Sequence, residues 1–337
     1  MISQILLETA DEPTISVGGI LDAIHSNVHV GDSDVFITEA CEYTNSFLSF
    51  FPTVGIILNI EEDHLDFFKD LQDIRNSFHK FAKLIPEDGT LIINGEISEY
   101  REITKGLPCR VITYSTHPDC SDGQKANYFA EEIDLNGMHP SFVLNGTAGQ
   151  KRRIRLSVPG LHNVSNSLAA IACADILGID PEVTDLALDN FTGTDRRFEL
   201  KGIKNGVTII DDYAHHPTEI TATLTAAQKF PHKTLWCVFQ PHTYTRTKAL
   251  MKDFAKALSL ADKVVLAEIY PARETDTLGI SSENLREEIA ALGVDCLCFP
   301  DFREIEKFLS ENCIKDDVLI TMGAGNVYEI GEDLLKS

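Results

Sequence analysis

The sequence predicts an α/β protein in two parts: an α/β domain with an antiparallel β portion, then a doubly wound, mostly parallel one. Three observations carry this. Beyond Arg197, strand-like runs at 207–211, 234–239, 263–267, 294–298 and 317–321 alternate with helical runs at 217–229, 245–259, 282–291, 302–311 and 326–335, the rhythm of a parallel sheet covered by helices. From 125 to 158 the segments are short and alternating, with Asn136-Gly137 and Asn145-Gly146 as hairpin turns. The chain has 337 residues, 43% hydrophobic and 24% charged, which suits roughly two or three soluble globular domains. The boundary falls near 191–197, giving domains 1–192 and 193–337.

The first domain opens with Ile2, Ile5, Leu6 and Thr9 at helical spacing. No Ser, Thr, Asp or Asn precedes them, and helices usually start on such a residue. The expectation is therefore either a frayed terminal helix or a chain that starts inside a helix. Val17-Gly18-Gly19-Ile20 reads as a turn. DVFITE at 34–39 and TVGIILN at 53–59 read as buried strands, the second introduced by Pro52. Leu71, Ile74, Phe78, Phe81 and Ala82 share one face of a helix over 71–84. Short strands follow at 90–94 and 110–114. After the hairpins, Pro159-Gly160 leads into a helix ending near 177, and Pro181 starts another ending near 190.

Composition excludes several functions. Lys and Arg number 29 against 52 Asp and Glu, a net charge of -23. Such a chain repels nucleic acid and anionic membranes. The eight cysteines include no C-x-x-C pair, so a zinc knuckle is unsupported and reduced, mostly buried thiols are expected. No apolar run approaches the ~18 residues of a membrane span, and the start lacks the basic and cleavage regions of a signal peptide. A cytoplasmic protein is expected.

Ligands of open α/β sheets sit at the carboxyl ends of strands, and polar motifs recur there. Glu39 closes DVFITE, where a carboxylate suits a hard cation or is simply solvated. NIEEDHLD at 59–66 packs four carboxylates, an Asn and His64 into eight residues; it reads as a metal site or as an acidic helix start. In His162-Asn163-Val164-Ser165-Asn166 the two asparagines share a helix face and suit a purine edge, although helix capping by Asn163 explains it too. Arg196 and Arg197 in GTDRRFE invite an anion or form an interdomain ion pair. Asp211-Asp212-Tyr213-Ala214-His215-His216 is the densest polar cluster and favours function. In FQPHTYTRT, His242 and Arg246 are four residues apart, so both could point into one cleft, and Arg246 suits a carboxylate. Gly323-Ala324-Gly325-Asn326 reads first as a tight turn and second as an anion site.

NIEEDHLD, PGLHNVSN, GTDRRFE, DDYAHHPTE, FQPHTYTRT and GAGN, in this order and spacing, resemble the Mur ligase family, and within it the members that join L-alanine to UDP-N-acetylmuramate in bacterial cell-wall synthesis. The resemblance covers essentially the whole chain. It implies a central ATPase-type α/β domain followed by a Rossmann-like domain, with ATP and Mg²⁺ required and an acyl phosphate as intermediate. It implies that Glu39 and His64 hold magnesium, and that His162, Asn163, Asn166, Arg197 and Asp212 bind ATP. Tyr213, His215, His242 and Arg246 would line the amino-acid site, with His64, Arg197, His215 and Arg246 catalytic. Some relatives carry Arg where Thr243 stands, so Thr243 receives no role. The family's G-x-x-x-x-G-K-[ST] phosphate loop occurs nowhere in these residues, and the UDP-sugar domain would precede it. A chain without that loop is expected to turn over little by itself and to act, at the limit, as a non-catalytic ligand-binding fragment. A relative that attaches a recycled murein tripeptide to the same sugar shares much of the pattern. The oligomeric state is not legible.

Overall fold

A computed structural model describes residues 1–64, 67–137, 139–276 and 278–337. The chain divides into two compact units, Met1–Asp134 with His139–Thr192, and chiefly Gly193–Ser337.

The first unit contains α1 (Ile2–Leu7), β1 (Thr14–Leu21), β2 (Ser26–His29), β3 (Phe36–Thr38), β4 (Val54–Ile57), α2 (Leu71–Ala82), β5 (Thr90–Asn94), α3 (Tyr100–Thr104), β6 (Arg110–Ser115), β7 (Tyr128–Asp134), β8 (Ser141–Asn145), β9 (Lys151–Arg155), α4 (Leu161–Ile176) and α5 (Pro181–Asn190). Its main sheet runs β4-β5-β6-β7-β8-β9. The pairs from β4 to β7 are parallel and the last two antiparallel, so the hairpins expected over 125–158 extend a parallel sheet. α2 starts on Asp70, whose side chain accepts from the Asp73 N–H, and buries Ile74, Phe81 and Ala82. Phe81 stacks on Phe47 at 4.9 Å. The basic strand β9 offers no open anion site: Lys151, Arg152, Arg153 and Arg155 face Glu131, Asp185, Glu132 and Asp189.

A smaller sheet, β2-β1-β3, departs from expectation twice. The Val17–Ile20 turn is the middle of strand β1. Its register slips between Ser16 and Leu21, and the Gly18 N–H reaches the Glu39 carboxylate at 2.6 Å. A Cβ on Gly18 would stand 2.9 Å from that oxygen. The glycines permit this close approach rather than a reversal. DVFITE is not buried either. Only 36–38 form a strand, which pairs with β1 alone, and an edge position leaves Phe36 exposed.

The second unit contains β10 (Glu199–Lys204), β11 (Val207–Asp212), α6 (Pro217–Ala227), β12 (Leu235–Phe239), α7 (Tyr244–Ala249), α8 (Met251–Leu258), β13 (Lys263–Leu266), α9 (Ser282–Ala291), β14 (Asp295–Cys298), α10 (Phe302–Asn312), β15 (Val318–Met322) and α11 (Tyr328–Lys336). The order is β10-β11-β15-β12-β13-β14. All pairs are parallel except β10 with β11. β12 and β15 are buried along their whole length, which explains their unbroken apolar runs. Two features differ from the sequence reading. ELKGIK forms the antiparallel edge strand β10, disguised by its Gly and two Lys. The helix expected over 245–259 breaks at Leu250, which leaves helical geometry (φ -109°, ψ 18°). All eight cysteines are free thiols, five of them buried. Among the described residues no helix is long and apolar enough to cross a membrane.

Candidate active site

In the second unit β15 lies between β11 and β12. The chain thus leaves three neighbouring strand ends through Asp212–His216, Gln240–Arg246 and Gly323–Asn326. Arg196 ties this corner together. Its guanidinium donates to Asp211 Oδ2 (2.9 Å), the Gly325 carbonyl (3.0 Å) and the Gly323 carbonyl (2.6 Å). It also lies over the rings of Tyr213 and Tyr328, 4.9 and 4.6 Å from their centroids. Asp211 is fully buried and accepts a second bond from Thr321 Oγ1 at 2.6 Å; burial raises its pKa against the pull of Thr321 and Arg196. Of the two arginines, Arg196 is therefore structural. Arg197 keeps 53% of its side chain exposed and stands 5.6 Å from the Tyr213 ring.

Asp212 is buried as well. Oδ1 accepts from the Ala214 N–H (2.7 Å) and Oδ2 from the Phe198 N–H (2.9 Å), so one carboxylate fixes both the residue after Arg197 and the residue after Tyr213. Burial pushes its pKa up to about 6.

Tyr213, His215, His242 and Arg246 form a continuous chain of contacts. The Tyr213 and His215 rings are 5.3 Å apart, His215 and His242 5.8 Å, and Arg246 Nη1 is 3.4 Å from His242 Nδ1. The His242 ring also stacks on Tyr270 at 5.6 Å. Burial, with His215 and the Arg246 charge beside it, pushes the His242 pKa down to about 4. Its imidazole is neutral near pH 7, so Nδ1 can accept from Arg246 and orient the guanidinium.

The glycines of GAGN serve the turn. A Cβ on Gly323 would stand 2.7 Å from the Gln240 carbonyl, and one on Gly325 would collide with the Gln240 side chain. The helix beyond begins only at Tyr328.

In the first unit the residues are more dispersed. Asn163 and Asn166 lie on the first turns of α4. The capping reading of Asn163 does not hold: the N-cap is Gly160 (φ 97°), and Asn163 Nδ2 donates back to the Pro159 carbonyl at 2.8 Å. Asn166 Nδ2 is 3.5 Å from Asn163 Oδ1, so the two amides share a face, with His162 beside them. His64 takes a left-handed backbone (φ 52°), and its N–H donates to Asp63 Oδ1 at 2.7 Å. Its Nε2 is 3.3 Å from Glu42 Oε1, and its ring is 4.5 Å from that of Tyr43. The His64 hydrogen bond holds the Glu42 carboxyl below its usual range. Leu65 and Asp66, the end of that motif, lie outside the described residues.

Among the described residues no three His, Cys, Asp or Glu side chains converge as a metal cage. Magnesium typically binds through one or two carboxylates plus substrate phosphates, and the exposed Glu39 carboxylate fits that requirement. His64, engaged by Glu42, is the softer candidate. Sequence reasoning missed Glu42, Gln240 and Tyr270 as shaping residues, and it saw Arg196 only as half of an arginine pair without telling its inward role from that of Arg197.

Residues 7–174 match the Mur ligase middle domain and residues 196–325 the Mur ligase, glutamate ligase domain. The chain is 58% identical to a UDP-N-acetylmuramate–L-alanine ligase of Agathobacter rectalis, over all of this chain and 72% of that protein. Its fold is similar to a crystal structure of UDP-N-acetylmuramate-alanine ligase from Thermotoga maritima (TM-score 0.80, 27% identity, 99% of this chain and 71% of that one). It is also similar to a murein peptide ligase from Psychrobacter arcticus (TM-score 0.68, 25% identity, 99% and 73%).

Proposed function

The chain belongs to the Mur ligase family, and from that premise we propose that it serves ATP-dependent ligation of L-alanine to UDP-N-acetylmuramate through an acyl phosphate, a step of cytoplasmic peptidoglycan precursor synthesis. The observation that carries this is the contact chain Tyr213–His215–His242–Arg246 at the strand ends of the second unit, a polar wall that ends in a guanidinium beside a neutral imidazole.

The lactyl carboxylate attacks the γ-phosphorus of ATP, and ADP leaves. The amine of alanine, having lost a proton, attacks the acyl carbon; phosphate leaves and the second amine proton is released. Arg246 takes the alanine carboxylate with its forked donors, while neutral His242 steadies the guanidinium without adding a competing charge. Tyr213 and His215 complete the wall. Arg197, exposed beside Tyr213, offsets phosphate charge. Asn163 and Asn166 present donors and acceptors to adenine with His162 next to them, and each Asp212 oxygen keeps a lone pair for a ribose hydroxyl. Glu39 and His64 would hold Mg²⁺, which when bound neutralises phosphate charge. Positioning and charge neutralisation supply most of the rate.

The test is phosphate release by this chain, alone and joined to the part of the Agathobacter rectalis ligase that it does not cover, with ATP, Mg²⁺ and UDP-N-acetylmuramate. Release should depend on L-alanine, and Arg246→Ala should raise the alanine KM by about a hundredfold. Release that responds to the murein tripeptide and ignores alanine would assign the chain to the tripeptide reaction instead.

A further inference from the structure

We propose that Glu219 is a positioning residue whose charge couples Arg197 to His215; this rests on the roles just given to those two residues. Glu219 sits at the third position of α6, and its carboxylate divides. Oε2 accepts the backbone N–H groups of His215 (3.0 Å) and His216 (3.2 Å) and lies 3.5 Å from His215 Nδ1. Oε1 faces Arg197 Nη1 at 3.8 Å. One side chain thus touches a residue assigned to phosphate and a residue assigned to the amino acid.

The two halves differ in strength. The His215 side is held by two backbone donors, of which the N–H of the N-cap His216 completes a capping box. The Arg197 side is a long ion pair between groups 53% and 37% exposed, the kind that solvent screens and a phosphate readily displaces. Glu219 therefore holds Arg197 loosely near Tyr213 and His215 and competes with the nucleotide for it. Once Arg197 turns to phosphate, the full carboxylate charge is left to His215. Nucleotide binding is in this way linked to readiness of the amino-acid site.

Glutamine at the third helical position also completes a capping box, so Glu219→Gln separates charge from structure. In the ligating protein described above, E219Q should keep the melting temperature of the parent. Mg·ATP should bind about two- to fivefold more tightly by calorimetry, and the alanine KM should rise about two- to fivefold. Glu219→Ala should show the same opposed shifts together with a lower melting temperature, from the lost cap. Parent-like ATP affinity and alanine KM in E219Q, with only E219A impaired, would reduce Glu219 to a helix cap and overturn the proposal; so would ATP affinity and alanine KM both worsening. Should the parent release no phosphate with alanine, the ligase reading falls by itself, while the ATP titration still reads whether Glu219 competes for Arg197.

Discussion

The two β-sheets at the extremes of exposure obey different rules. In the second unit β12 and β15 are buried on both faces, and their pairing follows from apolar runs that have no other place to go. In the first unit the sheet β2-β1-β3 leaves Ile20, Val28 and Phe36 exposed. It depends on an irregular register and on single polar contacts such as Gly18 with Glu39. The buried sheet is a framework on which side chains can be aimed; the small sheet is itself positioned by its neighbours.

The largest consequence concerns local opening. Amides of β12 and β15 should exchange at least about a thousandfold more slowly than those of β2 and β3, because buried central strands open only with the whole unit. Hydrogen exchange followed by mass spectrometry reads this directly, with β2 and β3 in the fast region. Equal protection would erase the contrast.

Side-chain truncation gives a second, smaller measure. Phe239 is fully buried and packs on Phe254 at 5.6 Å. Phe239→Ala should cost the second unit about 3–5 kcal/mol through the cavity it leaves. Val28→Ala, on the exposed sheet, should change stability by no more than about 0.5 kcal/mol. Urea unfolding monitored on each unit checks both. A large loss at Val28 would mean that the small sheet is packed more tightly than its exposure implies.

The same contrast explains what the sequence made legible. β5, β6, α4 and the strand–helix alternation of the second unit were readable because burial on both faces and helical periodicity each leave an unmistakable pattern. The Gly-Gly of β1 reads locally as a turn because two glycines license a reversal and a close approach equally well; only the distant Glu39 decides between them. β10 leaves no such pattern because an edge strand need not be apolar. At the candidate site, DDYAHHP and QPHTYTRT were conspicuous as dense polar sets at the ends of apolar strands. Their mutual contact was not, because it depends on β15 inserting between β11 and β12. Arg196 was visible only as half of a pair, and nothing local tells which of two adjacent arginines turns inward. That choice is made by Asp211 and by the carbonyls of Gly323 and Gly325, more than a hundred residues away in the chain.

Burial that stabilises the framework also displaces two titrating groups, and their effects on stability oppose each other. The Asp212 carboxyl, pushed up to about 6, stays protonated in the fold while the unfolded chain ionises from about 3.9. Its contribution is present in full in acid and is lost as pH rises from about 4 to 6. The His242 imidazole, pushed down to about 4, stays neutral in the fold while the unfolded chain takes up a proton below about 6.5. Its contribution is therefore complete above that value and is lost as pH falls to about 4. The two slopes partly cancel between pH 4 and 6. Asp212→Asn should steepen the rise of stability with pH across that window, on top of a constant loss from setting an amide N–H against a backbone N–H. His242→Gln should flatten the same rise. Urea midpoints at half-unit pH intervals read both, and slopes that move in the same direction would show that the buried strand ends do not govern these protons.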